Sequence, residues 1–140
     1  MSAVKVSAFL EAFCCWARGQ PDVEAVVLVG SYARDAASEG SDVDLVVLTS
    51  SVDKYLRERS WVSLFGEAAE WREEDYGRLT SVRVFYGEGL EVEYGFAAPD
   101  WAELPVDAGT RRVVTDGMRV LYDPQGIIER MQREINSSGE

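Results

Sequence analysis

The chain has 140 residues, of which 46% are hydrophobic, enough for one globular domain with a buried core. Its formal net charge is −11, and so acidic a surface disfavours binding to long nucleic acids or to anionic lipid, which both depend on Lys and Arg. The chain contains no His, which excludes a His general base and a Ser-His-Asp triad.

Several features predict a cytoplasmic protein that is not associated with a membrane. No segment approaches the roughly 20 apolar residues that a membrane-spanning helix needs. The first residues lack the basic start and the cleavage site of a signal peptide. The two cysteines, Cys14 and Cys15, are neighbours inside a helical pattern, and we interpret them as reduced thiols.

The hydrophobic pattern predicts alternating helices and strands in the first half of the chain. Apolar residues recur at helical spacing over residues 6–17, and Gly19 and Pro21 end that helix. The wholly apolar run 25–29 predicts a strand buried on both faces. The elements predicted next are a short helix over 31–37, a loop over 38–40, a strand over 43–49 and helical segments over 52–66. The pattern over 67–73 allows a strand or a helix and favours the strand.

The second half is predicted to contain a β-hairpin and a closing helix. Residues 79–86 and 90–96 flank a tight turn at Gly87-Glu88-Gly89. Beyond the hairpin we predict a loop over 99–109, a short helix over 110–116 and a strand over 118–122. Asp123-Pro124 is typical of a helix start, and a closing helix over 126–135 and a frayed tail over 136–140 are predicted after it. This order predicts a single mixed α/β domain over 1–140, with a central mixed β-sheet flanked by helices, a core over 1–97 and a C-terminal extension over 98–135.

The segment that begins at Gly30 carries the strongest chemical signal. Gly30-Ser31 joins a strand to the start of a helix, where free backbone N–H groups and a hydroxyl can hold a phosphate. Asp42 and Asp44 lie two residues apart on the next strand, so their carboxylates share one face. Such paired oxygen ligands suit a hard cation such as Mg²⁺. Together the two features predict metal-dependent chemistry on a phosphorylated substrate.

The second strand of the hairpin supplies a candidate third acid. In-line nucleotidyl transfer commonly uses two metal ions, and two carboxylates alone hold only one. Glu91, Glu93 and Gly95 share one strand face, and an acidic face beside a small Gly is what a metal site open to substrate would need. Either Glu could be the ligand, and Glu91 could instead be a base that deprotonates an acceptor hydroxyl.

Gly-Ser followed after about ten residues by Asp-hydrophobic-Asp resembles the signature of the DNA polymerase beta-like nucleotidyltransferase superfamily. The segments 30–34 and 41–45 are especially similar to small bacterial members, the minimal and aminoglycoside nucleotidyltransferase-like domains. The resemblance implies that Gly30-Ser31 binds phosphates and that Asp42 and Asp44 are metal ligands. Val92-Glu93-Tyr94 fits the position of the third acid best, and Glu91 second, with Glu in place of the more usual Asp.

The same resemblance implies Mg²⁺ or Mn²⁺ as the metal and a nucleoside triphosphate as the donor, with ATP as the expected one. A nucleoside monophosphate would move to an acceptor hydroxyl, and pyrophosphate would leave. Arg34 could balance the triphosphate charge or pair with a surface acid such as Asp35, and Arg83 is a candidate for the same place. We interpret Trp16, Trp61, Trp71 and Trp101 as buried anchors or as a dimer patch.

The acceptor half of the reaction has no motif in the chain. Only about 44 residues follow Phe96, so we expect the acceptor pocket to come from a homodimer, a small helical partner protein or a shallow cleft. Two alternatives to an enzyme share this fold. One is a non-catalytic partner-binding module, as in toxin–antitoxin pairs, and the other is a nucleotide sensor without turnover.

Overall fold

The computed structural model describes residues 3–33, 42–76, 79–102 and 117–138, together with 108, 112, 114 and 115. Its elements in chain order are α1 (Ala3–Arg18), β1 (Val23–Val29), β2 (Val43–Thr49), α2 (Val52–Arg57), a 3-10 helix (Ser60–Phe65), β3 (Ala68–Asp75), β4 (Thr80–Tyr86), a 3-10 turn (Gly87–Gly89), β5 (Glu91–Ala97), a 3-10 helix (Pro99–Ala102), β6 (Met118–Tyr122) and α3 (Ile127–Ser138). None of the helices in these ranges is long and apolar enough to cross a membrane.

The strands form one mixed sheet in the order β3-β4-β5-β2-β1-β6. Strands β2 and β5 pair in parallel, whereas the other neighbours are antiparallel. Strands β4 and β5 form the predicted hairpin. Strand β5 also pairs with β2, so it lies inside the sheet rather than at an edge. The predicted fold, a central mixed sheet flanked by helices, is therefore confirmed.

Two apolar layers cover the two faces of the sheet. Along β2, Val43, Leu45 and Val47 point to the face covered by α1, and Val46 and Leu48 point to the face covered by α3. Strand β1 divides its apolar side chains in the same way, as expected for a strand buried on both sides. Asp44 lies two residues before Val46 on β2, so its side chain points to the same α3 face, beyond the part that the second apolar layer covers.

Two predicted boundaries in the C-terminal part were wrong. The predicted loop over 99–109 begins with the 3-10 helix, which buries Trp101 and Ala102. The predicted tail over 136–140 belongs to α3 as far as Ser138. Helix α3 is anchored by the buried residues Ile128, Met131 and Ile135, whose spacing keeps one apolar stripe against the sheet.

Parts of two predicted helices lie outside the described residues. Of the helix predicted over 31–37, only 31–33 are described, and they form a turn. Residues 34–41, which include Arg34 and the predicted loop over 38–40, are not described. Of the helix predicted over 110–116, residues 112, 114 and 115 are described, and all three are helical.

Candidate metal and nucleotide site

Three carboxylates meet where β2 and β5 begin. Asp42 immediately precedes β2, Asp44 is its second residue, and Glu93 pairs directly with Asp44 in the parallel register. One oxygen from each carboxylate lies within 4.8 Å of the others. The close approach follows from the strand pairing, because laterally adjacent residues of neighbouring strands project to the same face.

The Gly30 turn lies directly against Asp44. Val29, the last residue of β1, pairs with Asp44, and the chain then turns with a hydrogen bond from the Ala33 N–H to the Gly30 carbonyl at 3.1 Å. Gly30 has a φ of +77°, and a Cβ atom there would lie 2.4 Å from Oδ2 of Asp44. Both the backbone conformation and the close approach require glycine, so the turn and the carboxylate form one packed unit.

Asp44 is held in a setting that penalises its negative charge. Its Oδ1 is buried and has no hydrogen-bond partner among the residues that the structure describes. Burial, then repulsion from the carboxylates of Asp42 and Glu93, raises the pKa of Asp44 to about 8. A divalent cation would supply both the missing partner and the missing positive charge. The three carboxylates therefore fit a hard cation that binds oxygen ligands.

Arg83 on β4 brings a positive charge to these acids. It pairs with Glu93 across the antiparallel register, so its side chain enters the same face. Its guanidinium donates hydrogen bonds to Asp42 (3.1 Å), Glu93 (3.1 Å), Glu74 (3.3 Å) and Glu91. Although burial opposes the charge, these acids hold the pKa of Arg83 above its ordinary value.

Glu93 has two further hydrogen-bond donors on the β3–β4 side. The Ser81 hydroxyl lies 3.2 Å from Oε2 of Glu93, and the Tyr76 hydroxyl lies 3.4 Å from the same atom. Ser81 is fully buried, whereas Tyr76 is exposed. Slight burial of the otherwise exposed Tyr76, together with the nearby charges of Glu93 and Glu74, raises the pKa of Tyr76. The two hydroxyls therefore hold Oε2 of Glu93 from the β3–β4 side.

Glu91 and Gly95 share a strand face with Glu93 but differ from it in their surroundings. Glu91 binds Arg83 and is not part of the three-carboxylate group. Gly95 is buried, and a Cβ atom on it would meet the Leu79 side chain at 2.9 Å. Leu79 therefore packs over Gly95, and the expectation that Gly95 keeps the metal site open stays a prediction.

Comparison with protein families decides between this fold and others that carry acid clusters. The family model of the nucleotidyltransferase domain matches residues 9–94, which is more than half of the chain and includes Gly30, Asp42, Asp44 and Glu93. The chain belongs to this family. The nucleotidyltransferase superfamily proposed from the motif is thus confirmed.

A solved nucleotidyltransferase structure shares the fold of this domain at low sequence identity. An aminoglycoside 6-adenyltransferase from Bacillus subtilis superposes with a TM-score of 0.56 and 14% identity, covering 74% of this chain and 38% of that enzyme. A cytoplasmic RNA terminal U-transferase has a TM-score of 0.46 and 25% identity over 70% of this chain and 32% of its own. The chain thus spans about a third of the length of these structures. No curated protein matches it.

Some of the predicted site residues of this nucleotidyltransferase domain meet in the described part of the chain, and others do not. It brings together Asp42, Asp44 and Glu93 beside Gly30, and Ser31 follows in the same turn. Arg34 lies outside the described residues. Arg83, considered from sequence as a partner of the triphosphate, forms ion pairs with Asp42 and Glu93, and its contact with a triphosphate stays a prediction.

The four Trp of this nucleotidyltransferase domain are mostly core residues. Trp61 and Trp101 are buried, and Trp16 stacks on Trp61 with ring centroids 5.9 Å apart. Trp71 on β3 is 48% exposed, and the Arg59 guanidinium lies 3.9 Å from its ring centre. The prediction of buried anchors therefore holds for Trp61 and Trp101, whereas Trp16 is partly buried against the core.

Sequence reasoning missed the supporting donors of Glu93. Ser81 lies two residues before Arg83 on β4, so their side chains share one face of the strand. The period of two in the predicted hairpin could therefore have placed the Ser81 hydroxyl on the acidic face. Tyr76 follows the end of β3 and had no such signal, because its position depends on how β3 pairs with β4. Glu74 likewise reaches Arg83 only through that pairing.

Proposed function

We propose that this domain is an enzyme that moves a nucleoside monophosphate from a nucleoside triphosphate, with ATP as the expected donor, to an acceptor hydroxyl. The observation that carries the proposal is the packing of the Gly30 turn against a three-carboxylate group. The proposed hydrogen-bond donors to phosphate lie beside the proposed metal ligands, which suits a metal–triphosphate complex.

Asp42, Asp44 and Glu93 are the proposed metal ligands, with Mg²⁺ or Mn²⁺ as the metal. Their fit to a cation is supported by the unpartnered Oδ1 of Asp44 among the described atoms and by its raised pKa. Bound divalent cations would neutralise triphosphate charge and polarise the α-phosphate. Ser81 and Tyr76 would keep Glu93 turned towards the metal through their hydrogen bonds.

The Gly30-Ser31 turn is proposed to hold the β- and γ-phosphates through its backbone N–H groups and the Ser31 hydroxyl. The acceptor oxygen would then form a bond to the α-phosphorus as the bond to pyrophosphate breaks, and the hydroxyl proton would pass to solvent. Catalysis would rest on positioning and on neutralising charge. Glu91 is poorly suited to accept the proton, because its carboxylate is paired with Arg83.

Calorimetry with Mn²⁺ and a non-hydrolysable ATP analogue tests the donor half. The wild-type protein should bind the analogue only when the metal is present. Glu93→Gln should abolish metal binding, whereas Glu91→Gln should retain it. The two variants form a matched pair, since they remove one charge each from the same face of β5. Equal binding by both variants would contradict the assignment of Glu93.

Turnover is measured as pyrophosphate release from ATP with a panel of candidate acceptors. Release that disappears in Asp42→Asn supports the enzyme. Metal-dependent binding without release under any acceptor would instead identify a nucleotide sensor. Failure to bind a triphosphate, combined with co-purification of a small helical protein, would identify a partner-binding module and overturn the proposal.

A further inference from the structure

The partners of Arg83 divide into two sets. Asp42 and Glu93 belong to the three-carboxylate group and accept from Nη1 and Nη2, each at 3.1 Å. Glu91 and Glu74 do not belong to that group, and they accept from Nη1 and Nε. One guanidinium therefore joins the proposed metal ligands to a second pair of acids on the β3–β5 side.

We propose that Arg83 is an exchangeable internal counter-ion of the metal site. Before metal binds, its guanidinium neutralises the carboxylates of Asp42 and Glu93. When a divalent cation enters, those two carboxylates turn to the cation, and Arg83 stays paired with Glu91 and Glu74. The inference rests on the proposed function, because it takes the three carboxylates to be metal ligands.

The second pair of acids makes this exchange possible without leaving a buried charge alone. A guanidinium has five N–H donors in a planar fork, so it can release two acceptors and keep two others. Arg83 is only 21% exposed, and a cation so enclosed would be costly if it lost all its partners. Glu91 thus has a defined role: it keeps Arg83 beside the site after the metal has displaced it.

The charge of Arg83 opposes that of the incoming metal. A divalent cation about 6 Å from a single positive charge loses about tenfold in affinity even at the dielectric constant of water, and more in a partly buried site. Arg83→Met, which keeps much of the side-chain volume, should therefore bind Mn²⁺ at least about tenfold more tightly than the wild type.

Arg72→Met is the matched control. Arg72 pairs with Arg83 across β3 and β4 and carries the same charge, but it is exposed and lies over the Phe85 ring at 5.2 Å. Solvent and salt screen its charge, so its loss should change Mn²⁺ affinity by less than about threefold. Arg83→Lys, which keeps the charge, should remain closer to the wild type than Arg83→Met.

The wild-type protein offers a second measurement should Arg83→Met fail to fold. The Nε–H resonance of Arg83, assigned by its loss in Arg83→Lys, should shift as Mg²⁺ is added, whereas that of Arg59 should not. Arg59 is a suitable reference because it pairs with Glu73 on the other face of β3. An unchanged Arg83 resonance at saturating Mg²⁺ would overturn the exchange.

The outcomes separate this inference from the function it rests on. Weaker or equal Mn²⁺ binding by Arg83→Met, with normal binding by the wild type, would overturn the counter-ion role and leave the metal site intact. Absence of Mn²⁺ binding in the wild type and in Arg83→Met would overturn the metal site itself. Tighter binding that is confined to the Arg83 substitution supports the proposal.

Discussion

Replacing Gly30 by Ala should damage the proposed metal site more than it damages the fold. The new Cβ would lie 2.4 Å from Oδ2 of Asp44, and ordinary contact begins at 3.4 Å. The carboxylate must therefore move by about 1 Å, which is large against the precision that metal ligands require. Alanine must also adopt a φ of +77°, which costs about 1–2 kcal/mol.

Gly126→Ala isolates the backbone part of this effect. Gly126 has a φ of +71°, but a Cβ atom there would meet nothing within 4 Å. We expect Gly126→Ala to lower the free energy of unfolding by about 1–2 kcal/mol and to leave Mn²⁺ affinity unchanged. Gly30→Ala should lower the free energy of unfolding by about 2–3 kcal/mol and weaken Mn²⁺ binding by about 10–100-fold.

Urea unfolding and Mn²⁺ titration by calorimetry measure the two quantities on the same samples. The reasoning is refuted if Gly30→Ala binds Mn²⁺ as tightly as Gly126→Ala does. It is refuted equally if both variants lose affinity to the same extent, because the effect would then come from general destabilisation. The decisive quantity is the difference between the two glycine variants in metal affinity.

Two other substitutions test the electrostatics and the packing of the same face. The pKa of Asp44 rises from 3.8 to about 8 on folding, so metal-free wild type should lose stability as pH rises from 4 to 8, whereas Asp44→Asn should not. At pH 8 in EDTA the variant should be more stable by about 1–3 kcal/mol after allowance for solvent screening, and added Mg²⁺ should stabilise only the wild type; equal pH profiles in urea unfolding would contradict this. Gly95→Ala places a Cβ 2.9 Å from Leu79 and 3.2 Å from the Leu45 carbonyl, so thermal unfolding should show a loss of about 1–2 kcal/mol. Its Mn²⁺ affinity should stay near that of the wild type, and a large loss would show that Gly95 does keep the site open.

Local patterns were enough to predict the strands that carry the acids. Strand β2 coincides with the predicted 43–49, and β5 differs from the predicted strand by one residue at each end. The period of two along these strands placed Asp42 with Asp44 and Glu91 with Glu93. Both are local properties of the chain, and strong alternation leaves few competing assignments.

What the sequence could not supply was the register between strands. Glu93, rather than Glu91, lies opposite Asp44 because of the register in which β2 and β5 pair. Neither strand sequence by itself predicts that register. The same holds for Arg83, whose contact with Asp42 spans 41 positions of sequence. Leu79 contacts Gly95 for a similar reason. Leu79 immediately precedes β4, and the pairing of β4 with β5 brings its side chain over Gly95.

The order of strands also explains why the donor half of the proposed reaction is easier to recognise than the acceptor half. The Gly30 turn flanks Asp44 on the β1 side, so the triphosphate would approach from there. On the opposite side Glu93 is bordered by β4 and β3, with Arg83, Ser81 and Tyr76 around its carboxylate. An acceptor hydroxyl that attacks in line with the departing pyrophosphate would have to come from that side. Under the proposed function, specificity for the acceptor therefore depends on the β3–β4 surface, whose residues meet through strand pairing rather than through a contiguous motif.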